Sequence, residues 1–372
     1  MPDPEASDQL VLSGGCFAVI SRYAAPSLGS MEPQEGEEQH SDEDDGGAGC
    51  CAKCCDIMGW VRQACTELGR LFCCPPVPSR IAAKLAFVPP PPHYDIREAA
   101  AGAESEPRYT LWLRSAMGGA EEFTQVPEFS VERDGFTLHV EWLRTSSRNF
   151  IPALFLQVPR ARYTLIFSHG NGTDIGQMFD FFVHLALSLQ VQILAYEYSG
   201  YGASSAPMPS ERATIEDAEA AWACATQKHG VAPDRIVLYG QSVGSGPSCS
   251  LAGRAEFAPA GLILHSGMMS GLRVVMPLQR TLPVDPYPNI DIIKSVSCPV
   301  FVIHGVQDDV VPFHHGVQLH RAVPPALATR PLWVRRGGHN NLVGFRVYYT
   351  RLAAFLKSLG SGPPQAPTPP AP

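Results

Sequence analysis

The chain has 372 residues, 45 % of them hydrophobic and 17 % charged, with 33 glycines and 35 prolines. That balance provides for a sizeable core and excludes a wholly disordered protein, a coiled coil and a fibrous repeat. The formal charge of −8 sits at the front: residues 1–49 hold eleven acids against Arg22 alone, which leaves the remainder near +2 and without a basic surface for nucleic acid. The acid run at 32–45 marks 1–49 as a solvated, disordered extension. The opening Pro, Asp, Pro and Glu lack the basic front of a secretion signal. No run of 18 apolar residues is free of charge, so no spanning helix is expected.

Next in order comes a segment rich in cysteine, residues 50–92. Eight of the eleven cysteines precede residue 75. A secreted disulfide framework fits poorly without a signal peptide. Cys51 and Cys54 have zinc-like spacing, but the other close pair is the adjacent Cys73–Cys74 and no histidine partner lies nearby, so no metal is expected. The pairs Cys50–Cys51, Cys54–Cys55 and Cys73–Cys74 stand among apolar and basic residues, the setting of reversible S-acylation. Unmodified thiols are the competing reading. Residues 50–88 carry five bases against two acids, which draws them to the anionic cytoplasmic leaflet. Each buried CH₂ of an attached lipid adds about 0.8 kcal/mol, so two or more chains anchor firmly. A protein held peripherally on that leaflet is the expectation.

Residues 93–130 form a loosely patterned lead-in. From 131 to 360 the pattern is regular. Strand-like runs fall at 136–143, 153–158, 164–167, 191–196, 235–239, 261–264, 300–303 and 332–334. Several lack polar alternation, as strands buried on both faces of a mostly parallel sheet do. Helical patterns fall between and after them at 175–189, 215–229, 245–254 and 343–359, and Thr214 with Asp217 resembles a capping box. Strands alternating with helices give an α/β doubly wound fold with helices on both faces. The tail, 361–372, is Pro-rich and read as disordered.

The sharpest motif is Gly240-Gln241-Ser242-Val243-Gly244, set between a strand and a helix of small residues. This is the setting of a nucleophile elbow, where the serine occupies a strained turn and bulky flanks would collide. A serine hydroxyl needs a base, and the base an orienting carboxylate. The run at 300–303 leads into Asp308 and Asp309, at the rim the elbow faces. Asp308 is the choice and Asp309 the alternative, since adjacent carboxylates cannot both point inward. After the last strand, Gly337-Gly338-His339 presents His339 as the base, ahead of His265, His304, His314, His315 and His320. The oxyanion donors expected are the backbone N–H groups of Val243 and of Asn171, the latter in the loop His169-Gly170-Asn171-Gly172. No cofactor is expected.

With these residues in place, the sequence resembles the alpha/beta hydrolase domain-containing 17 family of membrane-attached depalmitoylases over about residues 71–356. The strings that carry the likeness are Leu71-Phe72-Cys73-Cys74-Pro75-Pro76 running on to Phe87, Phe167-Ser168-His169-Gly170-Asn171, Tyr198-Ser199-Gly200-Tyr201-Gly202, Leu238-Tyr239-Gly240-Gln241-Ser242 and Gly338-His339-Asn340. The resemblance implies an α/β-hydrolase domain over 131–360, with Ser242, Asp308 and His339 as its triad. It implies hydrolysis of the thioester between palmitate and protein cysteines, so that S-palmitoylated membrane proteins are the substrates. It implies a lipid-anchored location on the cytoplasmic face of plasma membrane and endosomes. The spacing itself gives a serine hydrolase. An esterase or lipase, or a non-catalytic membrane scaffold on the same fold, are the alternatives. The acidic extension departs from the family, as do Gly69, Arg70 and Val77 where further cysteines stand.

Overall fold

The computed structural model describes residues 87–99, 108–114, 123–206 and 208–359. Cys50, Cys51, Cys54, Cys55, Cys73 and Cys74, both terminal extensions and most of the cysteine-rich segment lie outside the described residues.

Eight strands make the central sheet: β4 (Thr137–Arg144), β5 (Phe150–Gln157), β6 (Thr164–Ser168), β7 (Gln192–Tyr196), β8 (Ile236–Gln241), β9 (Gly261–His265), β10 (Val300–Gly305) and β11 (Leu332–Val334). Their order is β11-β10-β9-β8-β6-β7-β5-β4. Only β5 runs against its neighbours, and the other pairings are parallel. Every residue of β6, β9 and β10 is buried, as a sheet covered on both faces requires. Alternation then sorts side chains between the two faces. Ile166, Leu238, Leu264 and Val302 enter one apolar cluster, while Phe167, Tyr239, Ile263 and Phe301 enter the other.

The helices divide accordingly. On the first face lie α3 (Glu211–Ala223), α4 (Ser245–Ala252) and α7 (His314–Ala322), which contribute Ala221, Trp222, Leu251 and Leu319. On the second lie α2 (Phe179–Leu189) and α8 (Arg346–Leu359), through Phe182, Leu185, Leu352 and Phe355. Among the described residues three short helices complete the set: α1 (Val131–Asp134), α5 (Gly271–Val275) and α6 (Asn289–Ile292). Each large apolar side chain placed in these clusters contributes about 1.5–3 kcal/mol.

Three differences from the expected pattern have physical causes. The helix expected from 175 starts at Phe179, because Asp174 accepts the Gln177 N–H and turns the chain, while Gly176 packs against Tyr94. The helix expected from 215 starts at Glu211, capped by Ser210, whose side chain accepts the Ala213 N–H. It ends in a π turn, Cys224–Lys228. Thr214 is therefore interior, its hydroxyl donating to Glu211 O, and Asp217 turns inward to Ser199. The last helix begins at Arg346, after a 3₁₀ turn at Leu342–Gly344.

The lead-in is better ordered than its sequence suggests. Strands β1 (Tyr94–Glu98), β2 (Tyr109–Arg114) and β3 (Phe123–Gln125) form an antiparallel sheet. Tyr94, Leu111, Leu113 and Val126 join the second core cluster, so this sheet rests on the larger one.

Candidate active site

Strand β8 ends at Gln241 and the chain enters one 3₁₀ turn, Ser242–Gly244, before α4. Ser242 takes φ 53°, a left-handed conformation costing a non-glycine residue on the order of 1–3 kcal/mol. Its neighbours hold it there. A Cβ at Gly240 would stand 2.6 Å from Gly244 O, and one at Gly244 would stand 2.1 Å from Ser168 O. Glycine is required at 240 by the tight turn into α4 and at 244 by packing the elbow on the end of β6. Ser245 Oγ donates to Ser242 O at 2.6 Å and accepts from Asn289 Nδ2 at 3.2 Å, so α6 also braces the turn.

Ser242 Oγ lies 3.0 Å from His339 Nε2, and His339 Nδ1 lies 2.8 Å from Asp308 Oδ2 and 3.0 Å from Oδ1. All three residues are buried. A carboxylate only accepts, so the proton of the neutral imidazole sits on Nδ1 and Nε2 is left to accept from the serine. Asp308 Oδ1 also accepts the N–H groups of Val310 at 3.0 Å and Val311 at 2.8 Å. His304 Nε2 stands 3.3 Å from Oδ2. Burial pushes the Asp308 carboxyl up, but the hydrogen bonds from His304, His339 and the Val311 N–H outweigh it and hold the group well below the usual carboxylate range. Asp309, one residue on, is exposed.

Three of the competing histidines have other partners. His265 Nδ1 is 2.8 Å from Tyr239 Oη, and burial pulls its pKa down to about 3. His304 Nε2 donates to Val311 O at 2.8 Å. His315 Nδ1 accepts the Met269 N–H at 3.0 Å, and burial lowers its pKa to about 4. His314 and His320 lie on α7.

The loop after β6 brings Gly170 against the elbow: a Cβ there would lie 3.8 Å from Ser242 Cβ, an ordinary contact. Asn171 follows, its Oδ1 accepting the N–H groups of Gly172 at 3.0 Å and Val88 at 2.8 Å and the Tyr201 hydroxyl at 2.7 Å. Val243 follows Ser242 in the 3₁₀ turn. Behind the loop sits a buried hub that sequence reasoning missed. Glu197 Oε1 is 2.9 Å from His169 Nε2, while Oε2 accepts the Tyr94 hydroxyl at 3.0 Å. The available signal was one acid at the end of an apolar run. Asp217, fully desolvated beside Ser199, is pushed up to about 7 by burial.

The chain after β9 and helix α7 border a pocket of about 720 Å³, whose wall mixes Met269, Leu278 and Ile290 with Arg273, Asp291 and Lys294. The adjoining segment exposes Val275, Met276, Leu282 and Val284. Among the described residues no group of three His, Cys, Asp or Glu side chains is placed to hold a metal ion. The array is equipped for nucleophilic acyl transfer: an activated hydroxyl, a base of fixed tautomer and an orienting anion.

Comparison with known proteins agrees. Residues 159–284 match the family described as serine aminopeptidase, S33. The alpha/beta hydrolase domain-containing protein 17C of Xenopus laevis is 42 % identical over 295 residues, covering 78 % of this chain and 93 % of that protein. The human alpha/beta hydrolase domain-containing protein 17B is 42 % identical over 294 residues, covering 78 % and 96 % respectively. Among solved structures, an esterase of Pyrococcus furiosus superposes with a TM-score of 0.50 at 18 % identity, over 63 % of this chain and 96 % of that one, a likeness of fold.

Proposed function

The chain belongs to the alpha/beta hydrolase domain-containing protein 17 family, and from that premise we propose that it is a serine hydrolase cleaving palmitoyl thioesters from cysteines of membrane-associated proteins. The observation that carries this reading is the unbroken relay from Ser242 Oγ through His339 to Asp308. Ser242 Oγ attacks the thioester carbonyl as its proton passes to His339 Nε2, and Asp308 stabilises the imidazolium so formed. The N–H groups of Val243 and Asn171 meet the oxyanion. Collapse expels the cysteine sulfur, which takes the proton from Nε2. Water, deprotonated by the same nitrogen, then attacks the acyl-enzyme, and Nε2 passes the proton to Ser242 Oγ as it leaves, which frees palmitate and restores the serine. The exposed Val275, Met276, Leu282 and Val284 suit an acyl chain delivered from a bilayer. On this reading Cys50, Cys51, Cys54, Cys55, Cys73 and Cys74 carry lipids of their own. They hold the enzyme peripherally on the cytoplasmic face of plasma membrane and endosomes.

The test supplies purified protein with a palmitoylated protein and, separately, with a plain fatty ester. Wild type is expected to release thiol from the first, and a folded Ser242→Ala variant to lose on the order of 10⁴–10⁶ in rate. Preference for the ester assigns a lipase or esterase. A wild type that turns over neither, and that fluorophosphonate does not label, is a non-catalytic scaffold.

A further inference from the structure

Residues 87–94, which end the cysteine-rich segment and follow it, cross the domain beside the oxyanion loop, and four separate contacts seat them there. Phe87 is buried, its ring edge-on to Tyr201 at 6.4 Å and to Tyr287 at 6.2 Å. The Val88 N–H donates to Asn171 Oδ1 at 2.8 Å. The His93 N–H donates to the buried Asp174 carboxylate at 2.7 Å. Tyr94 fills the space over Gly176, where a Cβ would stand 2.5 Å from it, and reaches Glu197 and the Ala203 N–H with its hydroxyl.

One of these contacts falls on the residue whose backbone N–H serves the oxyanion in the proposed reaction. Asn171 Oδ1 gathers three donors from three segments: Val88, Gly172 and Tyr201. Holding that oxygen fixes the Asn171 side chain and, through its own Cα, the direction of its N–H. The Val88 side chain is 60 % exposed, so its link to the loop is the backbone N–H. We propose that Val88 and Asn171 form a positioning pair, in which the seated 87–94 segment holds the oxyanion loop in its reactive geometry through the bond from Val88 N–H to Asn171 Oδ1. The inference rests on the serine-hydrolase reading above. It makes the segment that leads to the cysteines part of the machinery that stabilises the transition state.

Oxyanion contacts act on the transition state more than on bound substrate, so loosening the loop lowers kcat and leaves KM in place. The test compares Val88→Pro, which removes the N–H, with the conservative Val88→Ala, which keeps it, in the full-length protein. The readouts are the rate of fluorophosphonate labelling at Ser242 and kcat and KM for a soluble acyl ester. Removing an oxyanion donor outright costs about 10²–10³, and a loosened one is expected to cost about tenfold. Val88→Pro should therefore fall about tenfold in labelling rate and kcat with KM held within about twofold, and Val88→Ala should restore both. Tyr201→Phe, which withdraws a second donor while keeping the ring, should move kcat in the same direction. In a double-mutant cycle, adding Val88→Pro to Asn171→Ala should cost nothing further, because the bond from Val88 N–H is already absent in Asn171→Ala. Equal labelling of Val88→Pro and Val88→Ala overturns the pairing and leaves the serine hydrolase standing. Additive losses in the cycle overturn it too. A wild type unlabelled at Ser242 overturns the hydrolase reading and this one together.

Discussion

Replacing Asp308 by asparagine exchanges one carboxylate oxygen for an NH₂ group, and the surrounding geometry decides which way the new amide turns. Oδ1 faces the N–H groups of Val310 and Val311 and lies 3.0 Å from His339 Nδ1, whereas Oδ2 makes the closer contact with His339 Nδ1, at 2.8 Å, and lies 3.3 Å from His304 Nε2. An asparagine has one acceptor oxygen for these two sites. Turned toward His339, it sets its NH₂ against both backbone N–H groups, at a cost of about 1–3 kcal/mol for each unsatisfied donor. Turned toward the backbone, it keeps those two bonds and sets its NH₂ against His339 Nδ1. The second orientation is preferred by about 2–6 kcal/mol on that count. Nδ1 must then accept, the ring proton moves to Nε2, and Nε2 can no longer accept from Ser242. The expected fall in kcat is about 10⁴, equivalent to about 5.4 kcal/mol of barrier. Turnover of a soluble thioester measures it, with thermal melting to verify the fold. The exposed Asp309, changed to asparagine in parallel, should stay within about twofold of wild type. A folded Asp308→Asn enzyme within tenfold of wild type, or an equal loss in the Asp309 variant, would refute the tautomer argument.

Gly244→Ala places a methyl 2.1 Å from Ser168 O and should destabilise the domain by at least about 1–3 kcal/mol, with Ser242 reactivity lost as the elbow shifts; a wild-type melting temperature would contradict this. Asp308 titrates lower folded than unfolded, so the stability it lends is complete above its unfolded value near 3.9 and is lost as pH falls below about 4. Urea midpoints measured downward from about pH 5 should therefore decline more steeply in wild type than in Asp308→Asn, and parallel curves would count against the linkage. Serine at Cys50, Cys51, Cys54, Cys55, Cys73 and Cys74 should shift the protein from membrane to cytosol while soluble-substrate activity persists. The bases left behind give only about 1 kcal/mol each near a charged leaflet, and salt removes that hold, so retention on membranes in high salt rejects the anchor.

The central sheet was readable because its strands are buried on both faces: runs such as those at 236–239 and 300–303 admit no polar alternation to blur them. The elbow was readable because steric demand selects glycine at 240 and 244 whatever surrounds them. What escaped was set by contacts distant in sequence. Helix α7 contains Gly316, a poor helix former kept because a Cβ there would stand 2.6 Å from His304 Nδ1. Thr214 and Asp217 have the spacing of a capping box, yet Asp217 is spent on Ser199, and Ser210 does the capping. Strands β1 to β3 bury one face of a small sheet, so only Tyr94, Leu111 and Leu113 stand out, amid polar residues. The choice between Asp308 and Asp309 depended on which carboxylate the loop turns inward, and adjacent identical residues carry no such mark.

Ser242, Asp308 and His339 follow the ends of β8, β10 and β11, with His339 97 residues beyond Ser242. Strand β11 is only three residues long and pairs with β10 alone, and helix α8 closes over the sheet behind it, Tyr348 Oη lying 2.6 Å from Tyr239 Oη. A polypeptide growing from its amino end therefore lays down the nucleophile, the carboxylate and most of the sheet well before the imidazole can dock. The order of synthesis thus brings Ser242, Asp308 and His339 together only once the last strand is made.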